Sequence, residues 1–141
     1  MSAREQLAAA RYINLRSFRR DGTGVNTPVW CAPLDDSLVL FTLRESYKVK
    51  RIARDPRVQV AQCDVRGKLL GPWHQGRCRA VIDEPELEAR AYRALRAKYG
   101  LQMAAGDFFS RLAGRMKRRL VMQIVVDGAA ERAPERAQVE P

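Results

Sequence analysis

The chain has 141 residues, 46% hydrophobic and 30% charged, with a formal net charge of +10. That length suits one domain with a single core, and no apolar run nears the roughly 20 residues of a membrane-crossing helix. The positive surplus favours anionic ligands, but arginine, 21 of the 26 basic residues, is scattered rather than gathered in one tail, which argues against a nucleic-acid binder.

Ser2 and Glu5 stand at capping-box spacing and predict a helix over residues 2–10. Residues 11–18 then alternate, with Tyr12, Asn14 and Arg16 opposite Ile13, Leu15 and Ser17, the pattern of a half-buried strand. Residues 20–24 are turn chemistry, and 25–32 form the second strand of a hairpin. Pro28 removes a ladder donor there, so that strand belongs at an edge or is bulged. After a turn at 34–37, residues 38–42 read as a buried strand. Ser46 occupies an N-cap position, its hydroxyl placed to accept from the first turn. Val49, Ile52 and Ala53 form a helical stripe behind it, and Asp55-Pro56 ends the run.

A strand at 57–65 and a turn at 66–68 follow. In the next strand, 72–82, Gln75, Arg77 and Arg79 alternate with Gly76, Cys78 and Ala80, so one face is wet or ligand-facing. Asp83 caps the clearest helix, Glu86 stands three residues on, and Leu87, Ala91, Ala94, Leu95 and Tyr99 make its apolar side. Gly100 ends it. Residues 106–116 make a weaker helix or loop carrying Phe108, Phe109, Leu112 and Met116, aromatics suited to a core or an interface. The last strand is 120–126, and 129–141 lack apolar periodicity, as in a disordered tail. Six strands, mostly joined by tight turns, predict a mainly β single domain over 1–128, a small barrel with peripheral helices.

Lys48 and Arg51 carry the most chemistry. Three apart on one helical face, they can reach a common anion near the positive helix end, beside the Ser46 hydroxyl. A solvated basic helix face would carry the same spacing, and that is the reading for Lys50 and Arg54. Cys31, Cys63 and Cys78 form no C-x-x-C pair and suit small core positions. His74 is the only histidine, which excludes a multi-histidine metal site. No nucleophilic triad or paired carboxylates stand at useful spacing, which argues against a hydrolase. The N-terminus lacks the pattern of a secretory signal, and the expectation is a soluble cytoplasmic protein.

The hairpin FRRDGTGVNTPVW, a strand ending in Thr42, the segment S-x-K-x-x-R-I-x-x-D-P-x-V and then CDVRGKLLGPW together resemble one family over about residues 7–126. It is the pyridoxamine 5′-phosphate oxidase-like split-barrel superfamily, and within it the branch of oxidoreductases dependent on deazaflavin coenzyme F-420. The resemblance implies a six-stranded split β-barrel, as in FMN-binding split barrels, that forms a homodimer with cofactor sites between the subunits. It implies that Thr42, Ser46, Lys48 and Arg51 hold the cofactor phosphate, and that the ring lies against Asn26, Thr27, Pro28, Val29 and Trp30. Trp73 and His74 are candidates for the substrate end, Trp73 also suiting interface packing and His74 a surface position. Arg77 and Arg79 could reach the acidic tail of the cofactor. Tyr47 departs from the small residue usual between the serine and lysine, and its ring could narrow or cover the phosphate pocket. The same clamp would serve FMN in an oxidase or reductase, and a non-catalytic flavin-, deazaflavin- or haem-binding protein is a further alternative.

Overall fold

Alternating apolar residues along seven strands curl one antiparallel sheet into a half-barrel. The computed structural model describes residues 2–114 and 118–127. Its strands are β1 (Tyr12–Phe18), β2 (Gly24–Val29), β3 (Ala32–Leu34), β4 (Ser37–Leu43), β5 (Arg57–Cys63), β6 (His74–Val81) and β7 (Arg119–Val126). Four helices accompany them: α1 (Ala3–Ala9), α2 (Tyr47–Arg54), α3 (Pro85–Tyr99) and α4 (Leu101–Leu112). Across the sheet the order is β2-β1-β5-β6-β7-β4-β3.

Two cores follow from this single sheet. Inside the curl, Ile13, Leu15, Leu40, Val58, Val60, Met122 and Ile124 meet, with Leu7 of α1 and Ile52 of α2 closing the ends. Burying each such side chain contributes roughly 1.5–3 kcal/mol. On the outside, Ala32, Val39, Val81 and Val121 pack under Ala91, Leu95 and Tyr99 of α3 and Met103 of α4. Among the described residues no helix covers the outer face of β2, β1 and β5, and there Asn26, Arg16 and Gln59 stand side by side.

The expected hairpin strand over 25–32 is interrupted, which raises the strand count from six to seven. Trp30 turns to stack on Tyr99, the rings 4.3 Å apart and 8° from parallel. The Cys31 amide donates to the Tyr99 hydroxyl at 3.1 Å, and the Cys31 carbonyl accepts from Lys98 Nζ at 2.6 Å. Side chains of α3 thus satisfy the backbone that a neighbouring strand would have bonded. Cys31 is therefore buried but outside any strand. Pro28 does lie in an edge strand, opposite Asn14.

Both ends of α1 and the stop of α3 agree with expectation, including the reciprocal Ser2–Glu5 capping bonds at 2.8 and 3.1 Å. The start of α3 shifts by one residue: Glu84 is the N-cap and Pro85 takes the first turn, where its missing donor costs nothing. Asp83 instead adopts a left-handed backbone, φ 59°. The later helix also starts earlier than predicted, directly after Gly100, whose φ of 54° turns the chain sharply from α3.

α4 presents the reverse of the usual amphipathic arrangement. Asp107 and Ser110 face inward, while Phe108 and Phe109 are 58% and 61% exposed, so they are not core residues. The cause is Arg119 at the head of β7. Its guanidinium donates to Asp107 Oδ1 at 2.7 Å and to Ser110 Oγ at 2.8 Å, and lies 4.1 Å from the Phe41 ring centre. Met116 and the tail over 129–141 lie outside the described residues.

Cutting one partner of this buried pair strands the other. Asp107→Ala should lose about 3–5 kcal/mol in urea unfolding, whereas replacing Asp107 and Arg119 together with Leu and Met should lose less.

Candidate functional site

β4 leaves the sheet after Arg44, whose amide makes a last 2.8 Å bond to the Arg118 carbonyl. Ser46 is extended (φ −68°, ψ 152°), and α2 begins at the next residue. The eight residues of α2 are fixed by Ile52 and Val49, which point into the inner core. That anchoring decides the exposure of everything else on the helix.

The expected Ser46 cap does not form. Its backbone has the N-cap conformation, but the hydroxyl makes no capping bond, and Ser46 Oγ is buried without a partner. Lys48 is half-buried and, among the described residues, has neither an ion-pair nor a hydrogen-bond partner. Burial first, and the nearby Arg51 second, lower its amine below the ordinary 10.5. Arg51 donates through Nε to Ser17 Oγ at 2.7 Å, which holds its guanidinium across the end of β1. Burial lowers it as well, followed by the charges of Arg19 and Arg54. An unsatisfied hydroxyl and an uncompensated ammonium near a helix start fit an oxyanion, which would accept from both. Tyr47 is 73% exposed, with Lys50 Nζ 5.3 Å from its ring centre, so it stands beside this seat and leaves it open. Lys50 is exposed as expected, whereas Arg54, also exposed, donates to the Phe18 carbonyl at 2.6 Å.

Thr42 lines a groove of about 270 Å³ with Phe41, Leu43, Ser110 and Arg119, a groove that Ser46, Lys48 and Arg51 do not line. The hairpin residues divide by strand alternation. Asn26 and Pro28 are exposed, while Thr27 and Val29 are half-buried and Val29 packs on the inner core. Trp30 leaves this group for the outer core, against Tyr99.

Arg16 joins Asn26 to Trp73. It donates to Asn26 Oδ1 at 2.8 Å and to Gln59 Oε1 at 2.9 Å, and its Cζ lies 3.9 Å from the Trp73 ring centre. His74 pairs with Val60 across the sheet, and burial pushes its imidazole pKa down. Arg79 is taken by Glu84 at 2.6 Å, whereas Arg77 has no such partner among the described residues.

Two polar residues here were missed in the sequence. Arg16 reads there as one wet position of a strand. Asn14 is fully buried; it donates through Nδ2 to the Gly67 carbonyl at 2.8 Å, which leaves Oδ1 buried and without a donor. That orphan lies beside Pro28 and the turn at Gly67, where an added Cβ would come within 3.3 Å of both. Nothing in the alternation marks it, since Asn14 stands with Tyr12 and Arg16 on the polar side of the strand.

The three cysteines are free and buried. Burial raises Cys31 to about 11 and Cys78 to about 12, and Cys63 rises through burial and then Asp64. Thiols so raised are not nucleophiles near neutrality. No group of three His, Cys, Asp or Glu side chains able to hold a metal occurs among the described residues.

Residues 2–132 match the family of pyridoxamine 5′-phosphate oxidase. The chain belongs to that family. Solved structures agree at the level of fold. A conserved hypothetical protein, Rv2991 from Mycobacterium tuberculosis, is 25% identical with a TM-score of 0.65, the match covering 89% of this chain and 81% of that one. The haem storage protein HutZ from Vibrio cholerae is 7% identical with a TM-score of 0.64, covering 87% of each chain. An F420 reductase is 18% identical with a TM-score of 0.51, covering 89% of this chain and 94% of that one. Among curated proteins none matches the sequence significantly. In this chain Ser46 and Lys48 sit where β4 gives way to α2.

Removing a capping serine ordinarily costs about 1 kcal/mol. Ser46→Ala should cost nothing measurable in ligand-free urea unfolding, because its hydroxyl caps nothing, and should weaken anion binding.

Proposed function

We propose that this member of the pyridoxamine 5′-phosphate oxidase family is a cytoplasmic oxidoreductase that uses deazaflavin coenzyme F-420 to pass hydride to or from a small organic substrate. The observation carrying the proposal is the pair of unsatisfied groups at the start of α2, Ser46 Oγ and the half-buried Lys48. Coenzyme F-420, when bound, supplies the hydride carrier. The chain's part is to bind, orient and exclude water.

Ser46 donates to a phosphate oxygen and Lys48 neutralises it. Arg51, already held by Ser17, adds charge with little further ordering. Each charge-assisted contact shielded from water contributes about 1.5–3 kcal/mol. The exposed edge of β2 at Asn26 and Pro28 offers a surface for a ring system. Trp73, fixed by Arg16, offers an aromatic wall on the same face. FMN has a phosphate that suits the same seat, so the two cofactors must be titrated side by side.

The double substitution Lys48→Ala and Arg51→Ala should weaken coenzyme F-420 binding at least about a hundredfold in a fluorescence titration. Unchanged affinity would remove the site assignment, and tighter binding of FMN than of coenzyme F-420 by the wild type would replace the cofactor.

The proposal includes a homodimer with cofactor sites between the subunits. Its support is the open outer face of the sheet and the exposed apolar side of α4, with Leu101, Phe108, Phe109 and Leu112 between 58% and 88% exposed. Sedimentation at micromolar concentration should give a dimer; a monomer alone contradicts the assembly.

A further inference from the structure

A groove among the described residues lies at the other end of α2 from Ser46, about 12 Å away along eight residues of helix. It measures about 680 Å³ and is enclosed by the β1–β2 turn, the end of α2, and the adjoining parts of β5 and β6. That volume is typical of a small-molecule site. Neither Ser46 nor Lys48 lines it.

Its charge is lopsided. Five arginines line it against two carboxylates, a surplus of three. One carboxylate, Asp55, is already taken by Arg57 at 2.8 Å. Arg19, Arg20 and Arg77 are exposed, and their side chains have no ion-pair or hydrogen-bond partner among the described residues. Arginines crowd here beyond what the carboxylates balance: Arg19 and Arg54 both depress the pKa of Arg51 next door. The helix end cannot serve an anion, since its carbonyls carry partial negative charge. Guanidiniums therefore make the site, and their spread around a concave wall suits several anionic groups at once.

We propose that this groove is a second anion site, for a small molecule carrying two or more phosphate or carboxylate groups. It is independent of the hydride-transfer reading and survives the failure of that reading. The floor, Gln59 and Gln75, adds amide groups that fix orientation. Repulsion among the arginines is relieved when such a ligand enters, so affinity rises with the number of its charges.

Calorimetric titration with inorganic tripolyphosphate and, separately, citrate tests the proposal, at constant ionic strength with inorganic phosphate as the low-charge reference. One equivalent of at least one of the two should bind, and more tightly than phosphate. Arg20→Gln with Arg77→Gln, two exposed side chains that hold nothing else, should weaken that binding at least about tenfold. Arg66→Gln with Arg93→Gln, which removes equal charge away from the groove, should leave it within about twofold. Whichever probe binds names the source, phosphate-bearing or carboxylate-bearing. Equal losses in both double variants would mean a diffuse charge effect, and loss on Ser46→Ala instead would put the probe in the α2 start; each overturns the proposal. So would absence of binding by both probes, or a single-stranded oligonucleotide binding more tightly than either.

Discussion

The burial of Ile52 and Val49 is the constraint on which the site depends. Both belong to the inner core, so α2 must lie across the mouth of the half-barrel and cannot swing away. With one face of so short a helix committed, Lys48 falls on the boundary between core and water, and Ser46 Oγ is carried inside without a partner. A longer, freer helix would let the lysine reach bulk solvent and the serine find its own backbone. Packing thus sets the electrostatics: two unsatisfied groups are held in place by apolar contacts they do not make.

The same logic explains why so much positive charge stays uncompensated. Ion pairs among the described residues are mostly exposed, such as Arg57–Asp55 and Arg79–Glu84, and contribute little to stability. The buried pair, Arg119–Asp107, serves to dock α4 on the sheet. Among the described residues no carboxylate pairs with Lys48, Glu45 being taken by Arg118, and those near Arg19 and Arg77 are too few. The excess at the two ends of α2 lies at concave, partly dry sites, where field lines converge more than over an open basic surface.

Much of the fold was legible in the sequence because it follows from local periodicity. Alternation in residues 11–18, the Ser2–Glu5 pair and the stripe from Leu87 to Tyr99 each register one element, and each is present. What escaped depends on contacts between residues far apart. Trp30 reads as a strand residue until Tyr99, 69 positions away, offers a ring to stack on. Phe108 and Phe109 read as core or interface, and the core half of that reading fails because Arg119 draws Asp107 inward and turns the helix over. At the site, Ser46, Lys48 and Arg51 were legible as a motif on one short helix. Asn14 and Arg16 were not, since their neighbours Gly67, Asn26, Gln59 and Trp73 come from other segments.

The sheet order has a consequence for how the chain is made. β2, β1 and β5 leave the ribosome early and can associate, as can the β3–β4 hairpin, but the two groups touch in the sheet only through β6 and β7. β7 comes last, and Tyr99, which locks the crossover at Cys31, is synthesised only shortly before it. Until then a nascent chain displays unpaired edges, among them the apolar β4. Closure therefore waits until β7 has been made, and a chain cut before Arg119 is left with two unjoined half-sheets prone to stick to other chains.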